Sequence, residues 1–206
     1  MLNFTKTLAE NYLNKLKEPW EILPIIKDIL PEIICKLPRK EYREISPQVW
    51  ISTSASVADT AYIKGPAIIG HNTEVRHCAF IRGNALIGNN CVIGNSTEIK
   101  NSIIFDNVQI PHFNYVGDSL LGYKAHFGAG VITSNVKSDR STVGNTGLKK
   151  FGAIVGDYAE IGCNTVLNPG TIIGRHSTVY PCSCVRGTVP ENSIYKSRDL
   201  IVRKEG

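Results

Sequence analysis

An aliphatic residue stands at every sixth position between Ile51 and Ile99, through Val57, Ile63, Ile69, Val75, Ile81, Ile87 and Ile93. A second run keeps the same period: Val155, Ile161, Leu167, Ile173, Val179 and Val185. Two residues before most of these stands a small side chain, among them Ala61, Ala67, Ala79, Ala85, Cys91, Thr97, Ala153, Ala159, Thr165 and Ser177. Neither a helix of period 3.6 nor a long strand of period 2 imposes a strict six. A short strand followed by a corner does, because each aliphatic then points inward and only a small neighbour fits beside it. Three such units close a triangular coil of eighteen residues, and stacked coils form a parallel β-helix with neighbouring strands about 4.8 Å apart. The period thus predicts an all-β solenoid, while the hand of its coil does not follow from spacing.

The repeat occupies residues 46–190, interrupted after residue 100 by one-residue slips and then by a polar, basic stretch at 134–150 that reads as a loop ejected from the coil. Long insertions in a solenoid tend to fall on its binding face. Residues 1–45 differ in kind: Leu8, Tyr12, Leu13 and Leu16 have helical spacing, Pro19 suits a helix start, and Pro24, Pro31 and Pro38 keep later pieces short. Two or three helices are expected there, as a cap across the coil's open N-terminal end. Residues 191–206 read as a tail.

The chain has 206 residues, 42% hydrophobic and 20% charged, which is globular composition. No apolar run reaches the roughly 20 residues of a membrane span, and the first residues lack the pattern of a signal peptide, so a cytoplasmic protein is expected. Six cysteines without a C-x-x-C pair read as buried small residues in a reducing compartment. The net charge of +5 is concentrated, with +3 between residues 134 and 151 and +2 after residue 185. That is too little for a nucleic-acid surface but suits a small anionic ligand.

Residues eighteen apart should stack, so Lys64, Arg82 and Lys100 are expected to form a column of like charges. Opposed like charges on neighbouring strands are destabilising, and the column is easier to understand if it holds a phosphate or pyrophosphate. By the same geometry His71 and His77, six apart, fall on different faces and do not converge on a metal. No nucleophile elbow, P-loop or dinucleotide fingerprint is present.

Where the period breaks, the chain reads Pro111-His112-Phe113-Asn114-Tyr115-Val116-Gly117-Asp118 and then Phe127-Gly128-Ala129-Gly130-Val131-Ile132-Thr133-Ser134-Asn135. With the hexapeptide repeats, these segments resemble the acetyltransferase domain of the bacterial bifunctional N-acetylglucosamine-1-phosphate uridyltransferase/glucosamine-1-phosphate acetyltransferases. They are closer still to the C-terminal domain of archaeal sugar-1-phosphate nucleotidylyltransferases, because Thr146-Gly147-Leu148-Lys149-Lys150-Phe151-Gly152-Ala153-Ile154 and Pro19-Trp20-Glu21-Ile22-Leu23 also have counterparts there. The resemblance implies a left-handed parallel β-helix, a homotrimer with sites between subunits, and acetyl-coenzyme A as co-substrate with no metal required.

By the same resemblance His112 matches the catalytic base, Tyr115 a substrate contact, and Arg82 and Lys100 the residues that hold the sugar phosphate, with Lys64 next in their column. His126 stands where the bacterial enzymes have a sugar-binding asparagine. Asn135 and Arg198 match contacts to acetyl-coenzyme A, Cys163 replaces a cofactor-contacting serine, and Lys149 and Lys150 are placed with the cofactor. The expected function is N-acetyl transfer to an amino-sugar phosphate or a nucleotide-linked amino sugar, by a chain standing alone without the family's nucleotidyltransferase domain. Histidine, with an ordinary pKa near 6.5, suits a base for amine attack on a thioester. Backbone N–H groups around Gly128-Ala129-Gly130 are candidates to receive the developing oxyanion. Two alternatives remain open: a non-catalytic assembly or sugar-nucleotide sensing module, and a zinc enzyme like the γ-carbonic anhydrases.

Overall fold

A computed structural model describes residues 1–204 of the chain. It is a parallel β-helix with three faces, followed in turn by the chain. The first face has eight parallel strands from Val49–Ser52 to Thr188–Val189, preceded by the antiparallel strand Tyr42–Ser46. The second runs in parallel from Ser56–Val57 to Ser193–Ser197 and ends on the antiparallel strand Leu200–Arg203. The third has seven strands, from Tyr62–Ile63 to Cys184–Val185.

The six-residue pattern maps onto this shape as expected. Ile69, Ile81, Ile87, Ile93, Ile99, Val155, Leu167 and Ile173 are fully buried along the axis, and so are the small residues Ala67, Ala85, Cys91, Thr97, Ala153 and Thr165. Corners use left-handed backbone, which asparagine tolerates better than most residues: Asn72, Asn84, Asn90, Asn101, Asn107 and Asn164 have φ between 47° and 63°.

Ile63, Ile81 and Ile99 stack eighteen apart. Ile99 then faces Val116, and Tyr115 faces Ile132, each seventeen apart. The lost residue comes from the third face. From corner Ser96 to corner Asn101, and from Phe113 to Asp118, the interval is five residues where the coils before them have six; it is five again only in the last coil, from Cys182 to Gly187 and from Gly187 to Asn192. Across the next coil the register jumps to 34, as between Ile132 and Val166, because the chain leaves the solenoid after Thr133 and returns at Phe151. Residues 134–150 thus lie outside the ladder of coils. The stem of this excursion closes where the Phe151 N–H donates to the Asn135 carbonyl at 3.0 Å, and Val143, within it, is buried.

The N-terminal residues form two short 3-10 helices, Phe4–Lys6 and Pro19–Ile25, and two α-helices, α1 (Glu10–Leu13) and α2 (Ile26–Lys36). Pro19 opens its helix inside a capping box of Glu18 and Glu21. Their position departs from the expected cap across the open end, since they run along the first face. The Lys6 carbonyl accepts from the Asp106 N–H at 2.9 Å, the Met1 carbonyl from Asp157 at 3.1 Å, and the Leu23 carbonyl from Asn101 Nδ2 at 3.1 Å. The reason lies in the outward side chains of that face. Ile68, Leu86, Ile103, Leu120 and Ile154 occupy one register column, and all are fully buried. The outward residues of the other faces, such as Glu74, Gln109, His126, Tyr62, Phe80 and Glu98, are partly or fully exposed. Five aliphatic side chains facing outward would otherwise leave a large apolar patch in water. At the open end, Tyr42–Ser46 pairs antiparallel with the first strand of the first face.

The cysteines also differ from expectation. Only Cys91, at an inward small-residue position, is buried; Cys35, Cys78, Cys163, Cys182 and Cys184 are exposed. Cys78 and Cys182 sit at left-handed corners and Cys184 points outward from the third face, places where packing makes no demand.

Replacing Leu86 by Ala should cost about 2–5 kcal/mol, the usual range for a buried leucine, read from urea unfolding. Val92→Ala, at an outward half-exposed position of the second face, should cost under about 1 kcal/mol.

Candidate active site at the shortened corner

Lys64, Arg82 and Lys100 do stack in register on the third face. They are not, however, a column of unopposed like charges. Arg82 Nη1 donates to Glu98 Oε1 at 2.8 Å, and Lys100 Nζ donates to Asp118 Oδ2 at 3.0 Å. Glu98 lies opposite Phe80 and reaches diagonally to Arg82. Lys64 is exposed and, among the described residues, makes no ion pair. The two carboxylates remove most of the repulsion from which an obligatory anion was inferred, leaving a mixed cluster that retains Lys64 as its excess cation. The hydrogen bond with Glu98 raises the pKa of Arg82, so its charge is constant over any working pH.

The shortening of the third face assembles this cluster. With one residue missing after Phe113, Gly117 falls opposite Lys100, and Asp118 becomes the corner residue facing Asn101. Asp118 is nearly buried, its side chain 5% exposed. Gly117 leaves room for the Tyr115 ring to fold back across it, since a Cβ there would lie 2.5 Å from the Tyr115 hydroxyl and would displace the ring. Asn135 Nδ2 donates to both the Tyr115 hydroxyl, at 3.4 Å, and Asp118. Burial raises the pKa of Tyr115, and the charges of Asp118 and Glu98 add to the effect, so it remains a neutral phenol.

His112 ends the strand Gln109–His112 on the second face, one corner before Tyr115. Its side chain is exposed. Phe113 carries the corner with φ 51°, costly for an aromatic residue, and is 62% exposed. Buried Asn114 holds the bend: its Oδ1 accepts from the His112 N–H at 3.1 Å and its Nδ2 donates to the Gly128 carbonyl at 2.8 Å. The imidazole thus stands at the Phe113 corner and Lys100 at the next corner, Asp118, with Tyr115 between them on the shortened third face.

The other expected residues lie elsewhere. His126 is on the second face, three residues short of the His112 row, or about 10 Å along the strand. Its Nδ1 pairs with Glu160 Oε2 at 2.8 Å, and both line a polar cavity of about 430 Å³ with Asn90, Asn107, Gln109 and Lys124. Within one chain it does not reach the cations of the third face. Cys163 is an exposed corner residue behind Gly128. Lys149 and Lys150 are exposed at the end of the loop, before Phe151, whose ring lies 6.0 Å from that of Trp20. Arg198 lines a cavity of about 700 Å³ at the far end of the solenoid with Arg186, Lys196, Tyr195, Cys182 and Cys184.

Two of the three candidate oxyanion donors are already committed. The Gly128 N–H donates to the Ile161 carbonyl at 2.7 Å and the Gly130 N–H to the His112 carbonyl at 3.0 Å. Among the described residues no group of three or more His, Cys, Asp or Glu side chains is placed to hold a metal. His71 bonds Ser52 Oγ and Glu41, and His77 bonds Thr60, on separate corners. Glu98, Asp118, Asn101, Asn114 and Glu160 were missed in the sequence. Their signal is the register itself, because outward acidic residues one coil from a cation pair with it once the seventeen-residue coils are known.

Stability without ligand should follow the burial of each pair. Arg82→Gln breaks an exposed, solvent-screened pair and should leave the unfolding midpoint nearly unchanged. Lys100→Met leaves Asp118 with its charge unpaired in the wall and should lower it by about 1–3 kcal/mol, measured by urea unfolding.

The chain matches known proteins along most of its length. Residues 63–146 fit the family described as the GMPPB C-terminal domain. A "Bifunctional protein GlmU" from Methanococcus maripaludis is 34% identical over 206 residues, covering 95% of this chain and 50% of that protein. A "Bifunctional sugar-1-phosphate nucleotidylyltransferase/acetyltransferase" from Sulfurisphaera tokodaii is 32% identical over 105 residues, 47% of this chain and 26% of that one. Among solved structures, the acetyltransferase domain of PglB from Neisseria gonorrhoeae in complex with acetyl coenzyme A aligns with 93% of this chain and 74% of its own, at 15% identity and a TM-score of 0.42. The chain spans about half the length, or less, of these curated relatives. Over that span it resembles the bifunctional sugar-1-phosphate nucleotidylyltransferase/acetyltransferases, as its hexapeptide repeats and its His112 and Asn135 segments lead one to expect.

Proposed function

We propose that the chain is an acetyl-coenzyme A-dependent N-acetyltransferase acting on an amino-sugar phosphate or a nucleotide-linked amino sugar. The observation that carries this reading is the shortened third face between Phe113 and Asp118, which has an exposed imidazole at the entering corner and a phenol, an amide and two ion-paired cations along it towards the other. The GlmU relative, similar over nearly the whole chain, is named as bifunctional, and the acetyltransferase half of such a protein fits the chemistry of this face. In this reading Lys64, Arg82 and Lys100 receive the phosphate, Tyr115 faces the sugar and Asn135 faces acetyl-coenzyme A. The amine attacks the acetyl carbonyl, His112 accepts the proton the amine sheds, and the tetrahedral adduct collapses with loss of the coenzyme A thiolate, which recovers that proton. The cavity around Arg186, Lys196 and Arg198 has the charge to hold the phosphates of the coenzyme.

The reading includes a homotrimer with sites between copies. His126 and the Arg82 cluster lie on different faces, so they can contact one sugar only if the second face of one copy meets the third face of another. The first face is closed to such contact by its own helices. Exposed Tyr62, Phe80 and Phe113 border the two remaining faces. Light scattering should give about three times 22.6 kDa, and a stable monomer that turns over would remove the shared site.

The direct test is release of free thiol from acetyl-coenzyme A across a panel of amino-sugar 1-phosphates and nucleotide-linked amino sugars. His112→Ala should lower kcat by about 10²–10⁴ while acetyl-coenzyme A still binds. Binding of these sugars with no thiol release from any of them would favour a sensing module over an enzyme. Full loss in His126→Ala with an active His112→Ala would transfer the base to the His126–Glu160 pair.

A further inference from the structure

The Asp118 carboxylate joins Lys100, Asn101 and Asn135 while itself being nearly closed to solvent. Its Oδ2 accepts from Lys100 Nζ at 3.0 Å and from Asn135 Nδ2, and its Oδ1 accepts from Asn101 Nδ2 at 2.8 Å. Asn101 Nδ2 also donates to the Leu23 carbonyl at 3.1 Å, which brings in the N-terminal helical layer. The main chain of the same residue is equally committed: its N–H donates to the Lys100 carbonyl at 3.0 Å and its carbonyl accepts from the Gly152 N–H at 2.8 Å. Asp118 therefore grips both stems of the 134–150 loop, Asn135 by its side chain and Gly152 by its backbone.

We propose that Asp118 is a positioning residue for anion recognition: by holding Lys100 and Asn135 in fixed directions it supplies the site's preference for a phosphate-bearing acceptor. The inference rests on the reading that this cluster receives the acceptor's phosphate. With its side chain 5% exposed, Asp118 has no surface to offer a ligand and acts only through its neighbours. A free surface lysine loses its rotamer freedom when it binds an anion. Lys100 has already lost that freedom to Asp118, and an ammonium has three donors, of which the carboxylate takes one. The remaining donors are preorganised, and the cost of ordering them does not fall on binding. The carboxylate lowers the local positive charge in exchange for direction. The site should then discriminate by geometry more than by bulk attraction, with a weak dependence on salt.

Asp118→Asn keeps the shape but turns one acceptor into a donor facing the donors of Lys100, Asn101 and Asn135. By titration calorimetry, its affinity for glucosamine 1-phosphate should fall about ten- to a hundredfold, while that for glucosamine changes less than about threefold. In turnover the change should appear in KM for the phosphorylated sugar far more than in kcat. Asn135→Ala and Asn101→Ala, which each remove one donor from the carboxylate, should give smaller losses of the same preference. Each should be non-additive with Asp118→Asn. Should Asp118→Asn fail to fold, the two asparagine variants decide, and an undiminished phosphate preference in both overturns the proposal. A folded Asp118→Asn with intact preference overturns it as well. Lys100→Met separates the two levels: if it abolishes a preference that Asp118→Asn retains, the phosphate site stands and the positioning role falls. If the wild-type chain binds both sugars equally, the reading on which the role rests is what fails.

Discussion

Each coil of this protein is held by the backbone of the next. Lys64 N–H donates to Ile81 carbonyl, Arg82 to Ile99 and Glu98 to Asn114, each at 2.8 Å. These bonds demand that corners fall above corners and strands above strands, and the inward Ile, Val and Leu at every sixth position satisfy that demand from inside. The side chains therefore cannot choose their neighbours freely, since whatever stands outward in one coil is imposed on the coil above it. The Arg82 to Lys100 stack, the buried column from Ile68 to Ile154 and the exposed pair Tyr62–Phe80, whose ring centroids are 5.8 Å apart, all follow from that one rule.

The proposed site lies where the rule is relaxed. Two coils lose one residue from the third face, and the next coil is interrupted by an excursion. The shortening brings Asp118 to a corner beside Lys100, frees space at Gly117 for the Tyr115 ring, and starts the excursion at Asn135, within reach of both. A strictly regular solenoid offers flat faces and repeating columns. Concavity and convergence of unlike groups need an irregularity, and here three irregularities share one corner.

Most of the fold was legible because a six-residue period is a property of the residues themselves. The coil, its inward residues, the slips after residue 100 and the ejected loop could all be read from it. The partners of the cations could not, because a slip of one residue shifts every outward neighbour, and its place could not be fixed without the corners. Glu98 and Asp118 were hidden for that reason. The position of the helices was hidden by a different cause: Leu86 or Ile103 looks like one more inward residue unless the alternation within its three-residue strand is followed, since Ala85 and Ile87 on either side are buried too. Most cysteines were misread because the small-residue rule was extended from inward positions such as Cys91 to corners and outward positions where it has no force.

The two antiparallel strands, Tyr42–Ser46 at one end of the first face and Leu200–Arg203 at the other end of the second, bear on the length of the rod. A parallel β-helix is in principle a template without a natural end, since its last coil offers the same donors and acceptors as every coil before it. A strand running the wrong way carries a hydrogen-bonding pattern that a further parallel coil cannot continue in register. The helices laid over the first face do the same for lateral growth, withdrawing one of three directions in which such prisms could tile. Fibre and sheet formation, the default hazards of a repetitive β-surface, are thereby designed against by the non-repetitive tenth or so of strands and the helical layer. A chain shorn of either terminal strand would be expected to reveal that hazard first as end-to-end polymers.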